Sequence, residues 1–121
     1  MTLRKILIVD DAQVERDNLK NIVSSAGYDS MTATSGKDAL EKVKQFNPDL
    51  IFLDIVMPEM DGFATCRELT KDAATKNIPV IFVSSKDAEA DRVWAQLQGA
   101  KAYVTKPYSE DQIIEQINNF S

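Results

Sequence analysis

Polar residues that can bind metal ions or phosphate follow four strand-like segments of the chain. They are Asp10 and Asp11 after residues 6–9, Asp54 after 50–53, Ser84 after 80–83 and Lys106 after 102–105. Because parallel strands end at the same edge of a sheet, where ligands of open α/β folds bind, we expect these side chains to lie together. Three carboxylates, one hydroxyl and one ammonium predict a site that binds a divalent cation and accepts a phosphoryl group.

The predicted carboxylate cluster is unfavourable without a counterion. Two carboxylates about 5 Å apart repel by roughly 3 kcal/mol at an effective dielectric constant near 20, and a third increases the repulsion. Three carboxylates and one lysine leave two negative charges, which one divalent cation neutralises. Hard oxygen ligands of this kind favour Mg²⁺, or Mn²⁺, over zinc.

Short apolar runs alternate with segments of helical period, which predicts five strand-helix units that position this site. Residues 6–9, 50–53 and 80–83 are apolar throughout, as strands covered by helices on both faces must be. Residues 28–33 and 101–105 include polar side chains, so we expect them to form the sheet edges. Right-handed crossovers then give an α/β fold of the flavodoxin-like class, a doubly wound five-stranded parallel sheet in the order 2-1-3-4-5 with five helices.

Each helical segment carries an apolar stripe that is expected to face the core. On the fourth helix the stripe consists of Val93 and Leu97, and Trp94 beside it is assigned to the core in preference to a partner interface. Residues 71–77 are expected to form a polar surface loop. Helix starts are predicted at Ser35, Asp61 and Ser109, the last in a capping box with Gln112, and helix ends at Gly27 and Gly99.

The composition fits one soluble domain. With 121 residues, of which 44% are hydrophobic, residues 1–121 can bury an ordinary core, and we expect no appended effector domain. A net charge of −5 argues against binding to nucleic acid, which requires a basic face. No apolar run is long enough for a signal peptide or a membrane span, so we expect a cytoplasmic protein without membrane insertion.

Two residue types restrict the chemistry further. Cys66 is the only cysteine, which rules out an internal disulfide, and its spacing from Phe63 and Leu69 predicts a buried small hydrophobe. Histidine is absent, so a histidine base, a histidine zinc ligand and a phosphohistidine are all excluded within this chain.

Four motifs resemble, over the whole length of the chain, the CheY-like receiver domains of bacterial two-component response regulators. They are Val9-Asp10-Asp11, residues 53–62 (LDIVMPEMDG), residues 79–85 (PVIFVSS) and residues 99–108 (GAKAYVTKPY). A narrower resemblance, over residues 93–107, is to the receivers of twitching-motility and chemosensory systems.

The resemblance implies a role for each residue of the site. It identifies Asp54 as the phosphoacceptor, Asp10, Asp11, Asp54 and the backbone carbonyl of Val56 as the metal ligands, and Ser84 and Lys106 as the groups that bind the phosphoryl group. Tyr103 matches the aromatic that turns inward when the hydroxyl at Ser84 moves toward the phosphoryl group. Lys106-Pro107 resembles a cis-proline turn that directs the lysine into the site.

Taken singly, each of these residues has a simpler explanation. Asp11 could cap the first helix, Ser84 or Ser85 could cap the fourth, and Asp54 could be an ordinary loop residue. Lys106 could be a surface cation and Tyr103 a half-buried residue of an edge strand. Their joint occurrence in this order favours the site.

The implied function is that of a phosphorylatable switch that assists only its own phosphorylation and dephosphorylation. A sensor histidine kinase or phosphotransfer protein would donate the phosphoryl group, and a downstream protein effector would bind helix four, strand five and helix five, roughly residues 86–97 and 101–120. We expect a monomer or a weak dimer. Alternatives are a phosphorylation-silent scaffold or a receiver that serves as a phosphate sink.

Two functions of other classes fit the residues less well. A phosphohydrolase of the haloacid dehalogenase type requires a second aspartate two residues after the nucleophile, where this chain has Val56. A flavodoxin-like FMN carrier requires a phosphate-binding loop after the first strand, where Asp10 and Asp11 would repel phosphate.

Overall fold

The computed structural model describes residues 3–121, in which five strands alternate with five helices. The strands are β1 (Lys5–Val9), β2 (Asp29–Ala33), β3 (Leu50–Leu53), β4 (Val80–Ser84) and β5 (Ala102–Thr105). The helices are α1 (Gln13–Ser25), α2 (Gly36–Phe46), α3 (Gly62–Lys71), α4 (Glu89–Leu97) and α5 (Glu110–Asn119). The predicted strand-helix units are therefore confirmed.

All strands are parallel and lie in the order β2-β1-β3-β4-β5, as predicted. The three central strands are buried along almost their whole length, whereas β2 and β5 at the edges are partly exposed. Val9 pairs with Leu53, Leu53 with Phe82, and Ser84 with Thr105. This register brings the carboxyl ends of the four site-bearing strands to one edge of the sheet.

Apolar side chains of the sheet pack into two core layers, one on each face. One layer contains Leu19 and Val23 of α1 with Ile113 and Ile117 of α5. The other layer contains buried residues of α2, α3 and α4, including Val43, Cys66 and Ala95. Cys66 is fully buried, as expected for a small hydrophobe.

The predicted helix caps are mostly confirmed. Ser35 and Asp61 accept hydrogen bonds at the starts of α2 and α3, and Ser109 forms a capping box with Gln112. Gly27 and Gly99 follow α1 and α4 with φ angles of 93° and 102°. The capping alternatives considered for the site residues are wrong, because α1 begins after Ala12 and α4 begins after Ala88.

The prediction that α4 turns Val93, Trp94 and Leu97 toward the core is wrong. These side chains are 50%, 49% and 68% exposed, and the buried residue of the helix is Ala95. Spacing of four residues identifies a helical stripe but not the side on which the sheet lies. A short helix that packs through alanine approaches the sheet closely and leaves its larger apolar side chains outside.

The segment after α3 differs from its prediction at one residue. Residues 71–77 are largely exposed, as expected of a polar loop, but Thr75 is buried and its hydroxyl donates a hydrogen bond to the carbonyl of Leu69. Within residues 3–121, every helix is too short or too polar to cross a membrane.

Candidate functional site

Three carboxylates meet at the carboxyl edge of the sheet. Asp10 and Asp11 follow β1 and Asp54 follows β3, and one carboxylate oxygen from each lies within 4.8 Å of the other two. Asp10 and Asp54 are only 2% and 7% exposed, whereas Asp11 is exposed. The structure thus brings together the three carboxylates predicted from the sequence.

The backbone around Asp10 holds its carboxylate in a fixed direction. Oδ1 of Asp10 accepts a hydrogen bond from the N–H of Ala12 at 3.0 Å, which closes the turn that leads into α1. The guanidinium of Arg16 donates to the carbonyl of Asp10 at 2.8 Å. Asp10 is therefore tied to the start of α1 through both its side chain and its backbone.

Asp54 is positioned by the loop between β3 and α3. Its Oδ1 accepts a hydrogen bond from the N–H of Ile55 at 2.8 Å, and the N–H of Gly62 donates to the carbonyl of Ile55 at 2.8 Å. A Cβ atom at Gly62 would lie 2.1 Å from the carbonyl oxygen of Asp54. Only glycine therefore lets α3 begin this close to the backbone that carries Asp54.

Lys106 supplies the positive charge at the centre of the cluster. Its Nζ lies 2.8 Å from Oδ2 of Asp10, 3.6 Å from Oδ2 of Asp54 and 3.7 Å from Oε2 of Glu15. The side chain is 14% exposed, so the alternative of a free surface cation is wrong. The bond between Lys106 and Pro107 is cis, as the sequence motif predicts.

Burial and neighbouring charge shift the pKa values of this pair. Burial raises the pKa of Asp54, the charge of Asp10 raises it further, and Lys106 only partly offsets these effects. Burial opposes the charge of Lys106, but its hydrogen bond to Asp10 and the charges of Asp54, Asp10 and Glu15 outweigh that effect and raise its pKa. The cluster therefore contains more negative charge than its own cation neutralises.

Ser84 and Tyr103 lie on the α4 side of this edge. Ser84 is fully buried at the end of β4, and its Oγ accepts a hydrogen bond from the N–H of Lys86 at 3.3 Å. The ring of Tyr103 packs against Phe82, and its hydroxyl donates to the carbonyl of Lys86. Both residues thus contact the same peptide segment between β4 and α4.

One predicted ligand is less constrained, and two neighbours of the site were missed. Val56 lies in the loop after β3 with its side chain 54% exposed, and the role of its carbonyl stays a prediction.

Glu15 and Arg16 were not predicted, although both contact site residues. The available signal was their place in the first turn of the helix that begins two residues after Asp11.

The donor set fits a hard divalent cation. Two buried carboxylates less than 5 Å apart repel by about 3 kcal/mol at an effective dielectric constant near 20. Oxygen ligands at this spacing suit Mg²⁺ or Mn²⁺, whereas a structural zinc site would use cysteine or histidine. Exposure of Asp11 leaves one side of the cluster open to water and to a phosphoryl group.

Comparisons with known proteins agree with this fold. Residues 6–118 match the family described as the response regulator receiver domain. The chain is 43% identical over 116 residues to protein PilH of Pseudomonas aeruginosa, with 96% of each chain covered. It is 37% identical over 119 residues to chemotaxis protein CheY of Thermotoga maritima, with 98% of each covered.

A solved structure confirms the fold. Chemotaxis protein CheY4 of Vibrio cholerae superposes with a TM-score of 0.93 at 24% identity, over 99% of this chain and 100% of that one. The chain belongs to the response regulator receiver domain family. Receiver domains are signalling modules that bind Mg²⁺ at an acidic pocket and interact with histidine kinases or phosphotransfer proteins and with downstream effectors.

Proposed function

We propose that Asp54 of this receiver accepts a phosphoryl group from a phosphohistidine on a sensor kinase or phosphotransfer protein. The observation that carries the proposal is the position of its carboxylate, buried beside a lysine and clustered with two further carboxylates at the ligand-binding edge of the sheet. Because this chain has no histidine, the phosphohistidine must come from the partner.

In the proposed reaction, Asp54 is the nucleophile. Its Oδ1 accepts a hydrogen bond from the N–H of Ile55, which leaves Oδ2, on the side of Lys106, as the attacking oxygen. Oδ2 forms a bond to phosphorus while the P–N bond to the partner's imidazole breaks, and the imidazole nitrogen keeps that electron pair. The product is an acyl phosphate on Asp54, which water later hydrolyses.

Positioning and charge are the main contributions of the other residues. Asp10, Asp11 and Asp54, with the carbonyl of Val56, would hold Mg²⁺, which when bound offsets the negative charge of the transferring phosphoryl oxygens. The ammonium of Lys106, already 3.6 Å from Oδ2 of Asp54, is placed to pair with a phosphoryl oxygen after transfer. Burial of Asp54 limits the access of competing water.

Phosphorylation would alter the binding of a protein partner through the segment between β4 and α4. The hydroxyl of Ser84 becomes a donor to the phosphoryl group, and Lys86 links Ser84 to Tyr103. A new charge at the edge of the sheet therefore biases the face formed by α4, β5 and α5. Relatives named PilH and chemotaxis protein CheY support a role in pilus or chemosensory signalling.

Intact mass measured after incubation with acetyl phosphate tests the proposal. We expect a phosphoryl adduct on the wild type in Mg²⁺, and its loss in a chelator and in Asp54→Asn. Asp17→Asn, which changes an exposed aspartate of α1, is the matched control and should be labelled like the wild type. No adduct on a folded wild type would favour the phosphorylation-silent scaffold.

A further inference from the structure

The first turn of α1 places a fourth carboxylate beside the site. Oε2 of Glu15 lies 3.7 Å from Nζ of Lys106, and the side chain of Glu15 is 36% exposed. The carboxylates that would hold the cation are those of Asp10, Asp11 and Asp54, and Glu15 is not part of that cluster. Glu15 therefore adds negative charge at Lys106 that the proposed ligand set does not use.

The ammonium of Lys106 is shared unequally among three carboxylates. Its Nζ lies 2.8 Å from Asp10, whereas Asp54 is at 3.6 Å and Glu15 at 3.7 Å. The two longer distances exceed the range of about 2.7–3.2 Å for an ordinary N–H···O hydrogen bond. Asp10 thus fixes the position of the ammonium, and Asp54 and Glu15 compete for its remaining N–H groups.

We propose that Glu15 is a positioning residue that restrains Lys106 and thereby slows phosphoryl acceptance by Asp54. This inference rests on the proposed function of Asp54, in which the ammonium of Lys106 pairs with a phosphoryl oxygen. An N–H group that points to Glu15 is not available to that oxygen. Because Glu15 lies outside the ligand set, a bound cation would offset the charge of the aspartates and leave the competition from Glu15 in place.

Glu15 also has a purely structural explanation. An acidic side chain in the first turn of a helix interacts favourably with the positive end of the helix dipole. This role predicts a lower melting temperature for Glu15→Gln and no change in the rate of labelling. Competition for Lys106 predicts a faster rate, so the rate separates the two explanations.

The initial rate of the acetyl phosphate adduct in Mg²⁺, measured by intact mass, tests the inference. We expect Glu15→Gln to be labelled about two- to fivefold faster than the wild type, which is the factor that corresponds to a partly exposed ion pair. Asp17→Asn neutralises an exposed acid of the same helix and is the matched control, which should be labelled like the wild type.

Two further measurements show whether Glu15 acts through the charge of Lys106. Salt screens a partly exposed ion pair, so the ratio of the rates of Glu15→Gln and Asp17→Asn should fall toward one as the ionic strength rises from about 0.01 M to about 1 M. Mg²⁺ should raise the melting temperature of both variants equally. An equal rise shows that Glu15 does not act by binding the cation.

Other outcomes would overturn the inference in distinguishable ways. Equal or slower labelling of Glu15→Gln relative to Asp17→Asn, an acceleration that does not depend on salt, or a lost response to Mg²⁺ contradicts the role of Glu15 but leaves the function of Asp54 intact. A wild type that forms no Asp54-dependent adduct overturns the proposed function, and the inference fails with it.

Discussion

The three clustered aspartates differ in burial and in the number of contacts that hold their carboxylates in place. Asp10 accepts hydrogen bonds from Ala12 and Lys106 and is almost fully buried, and Asp54 is buried beside the same lysine. Asp11 is exposed, although one of its oxygens lies within the cluster. Replacing Asp10 or Asp54 should therefore change the stability of the fold as well as ligand binding. Replacing the exposed Asp11 should change ligand binding with little effect on stability.

Cys66 illustrates the effect of burial on a single group away from the site. Burial raises the pKa of its thiol to about 12, whereas an unfolded thiol titrates near 8.5. The native state therefore binds this proton more tightly, so its contribution to stability is complete below about pH 8 and is lost as the pH rises toward 12.

The raised pKa of the Cys66 thiol predicts that ionisation of this group lowers the free energy of unfolding at alkaline pH. Between about pH 8 and about pH 10, the free energy of unfolding of the wild type should fall more steeply than that of Cys66→Ala. Denaturant titrations of both proteins at several pH values measure the two slopes, and other alkaline groups cancel in the comparison. Parallel slopes would show that the thiol ionises normally in the fold.

At the scale of elements, close packing at the start of α3 determines the position of the backbone at Asp54. A methyl group at Gly62 would meet the carbonyl oxygen of Asp54 at 2.1 Å and the Cα atom of Ile55 at 2.7 Å. Gly62→Ala should therefore destabilise the fold by about 1–3 kcal/mol and sharply reduce phosphoryl acceptance, because the loop after β3 must shift.

Gly27→Ala provides a control of similar stability for that prediction. An added Cβ there meets nothing within 4 Å, but the φ angle of 93° imposes a strain of about 1–2 kcal/mol. Thermal unfolding and the acetyl phosphate adduct are measured on both variants. If Gly62→Ala is labelled as fully as Gly27→Ala, close packing at the start of α3 does not position Asp54.

The exposed stripe of α4 leads to a prediction about its tryptophan. Trp94 is 49% exposed, so Trp94→Ala should lower the free energy of unfolding by about 1 kcal/mol or less. Phe82→Ala, which empties a fully buried site in the sheet, should lower it by about 3–5 kcal/mol. Denaturant titration compares the two variants, and similar losses would place Trp94 in the core after all.

The sequence predicted the order of the sheet and the meeting of three carboxylates at one edge for the same physical reason. Strands covered on both faces must be apolar throughout, so residues 50–53 and 80–83 could be recognised as central strands. Because the strands of such a sheet are parallel, their carboxyl ends were predicted to lie at one edge. The observed strands begin and end within one residue of the predicted segments.

Features that depend on how elements pack were not predicted. The spacing of Val93 and Leu97 defines a stripe, but only the packed structure shows that α4 turns Ala95 toward the sheet. The contact between Glu15 and Lys106 joins residues 91 positions apart, and its geometry depends on the angle at which α1 leaves the sheet. Periodicity contains no information on either point.

At the scale of the whole molecule, cation binding and folding should be coupled. A ligand that binds only the native state, at a concentration of about 100 times its Kd, stabilises a protein by about 2.7 kcal/mol. Mg²⁺ should therefore raise the melting temperature of the wild type, and Asp11→Asn should lose most of this increase while it remains folded in a chelator.

Asp17→Asn is the control for that shift, because it removes the same charge from an exposed position on α1. We expect Mg²⁺ to stabilise this variant as much as the wild type. A Mg²⁺ response that survives in Asp11→Asn would contradict the assignment of Asp11 as a ligand.

Chemical localisation of the phosphoryl group tests the central claim most directly. After incubation with acetyl phosphate and Mg²⁺, borohydride reduces an aspartyl phosphate to homoserine, and peptide mass spectrometry then finds the converted residue. Phosphoryl transfer to Asp54 predicts homoserine at position 54 alone. Conversion at another aspartate, a stable phosphoryl group on Ser84, or no conversion in a protein that binds Mg²⁺ would contradict the account.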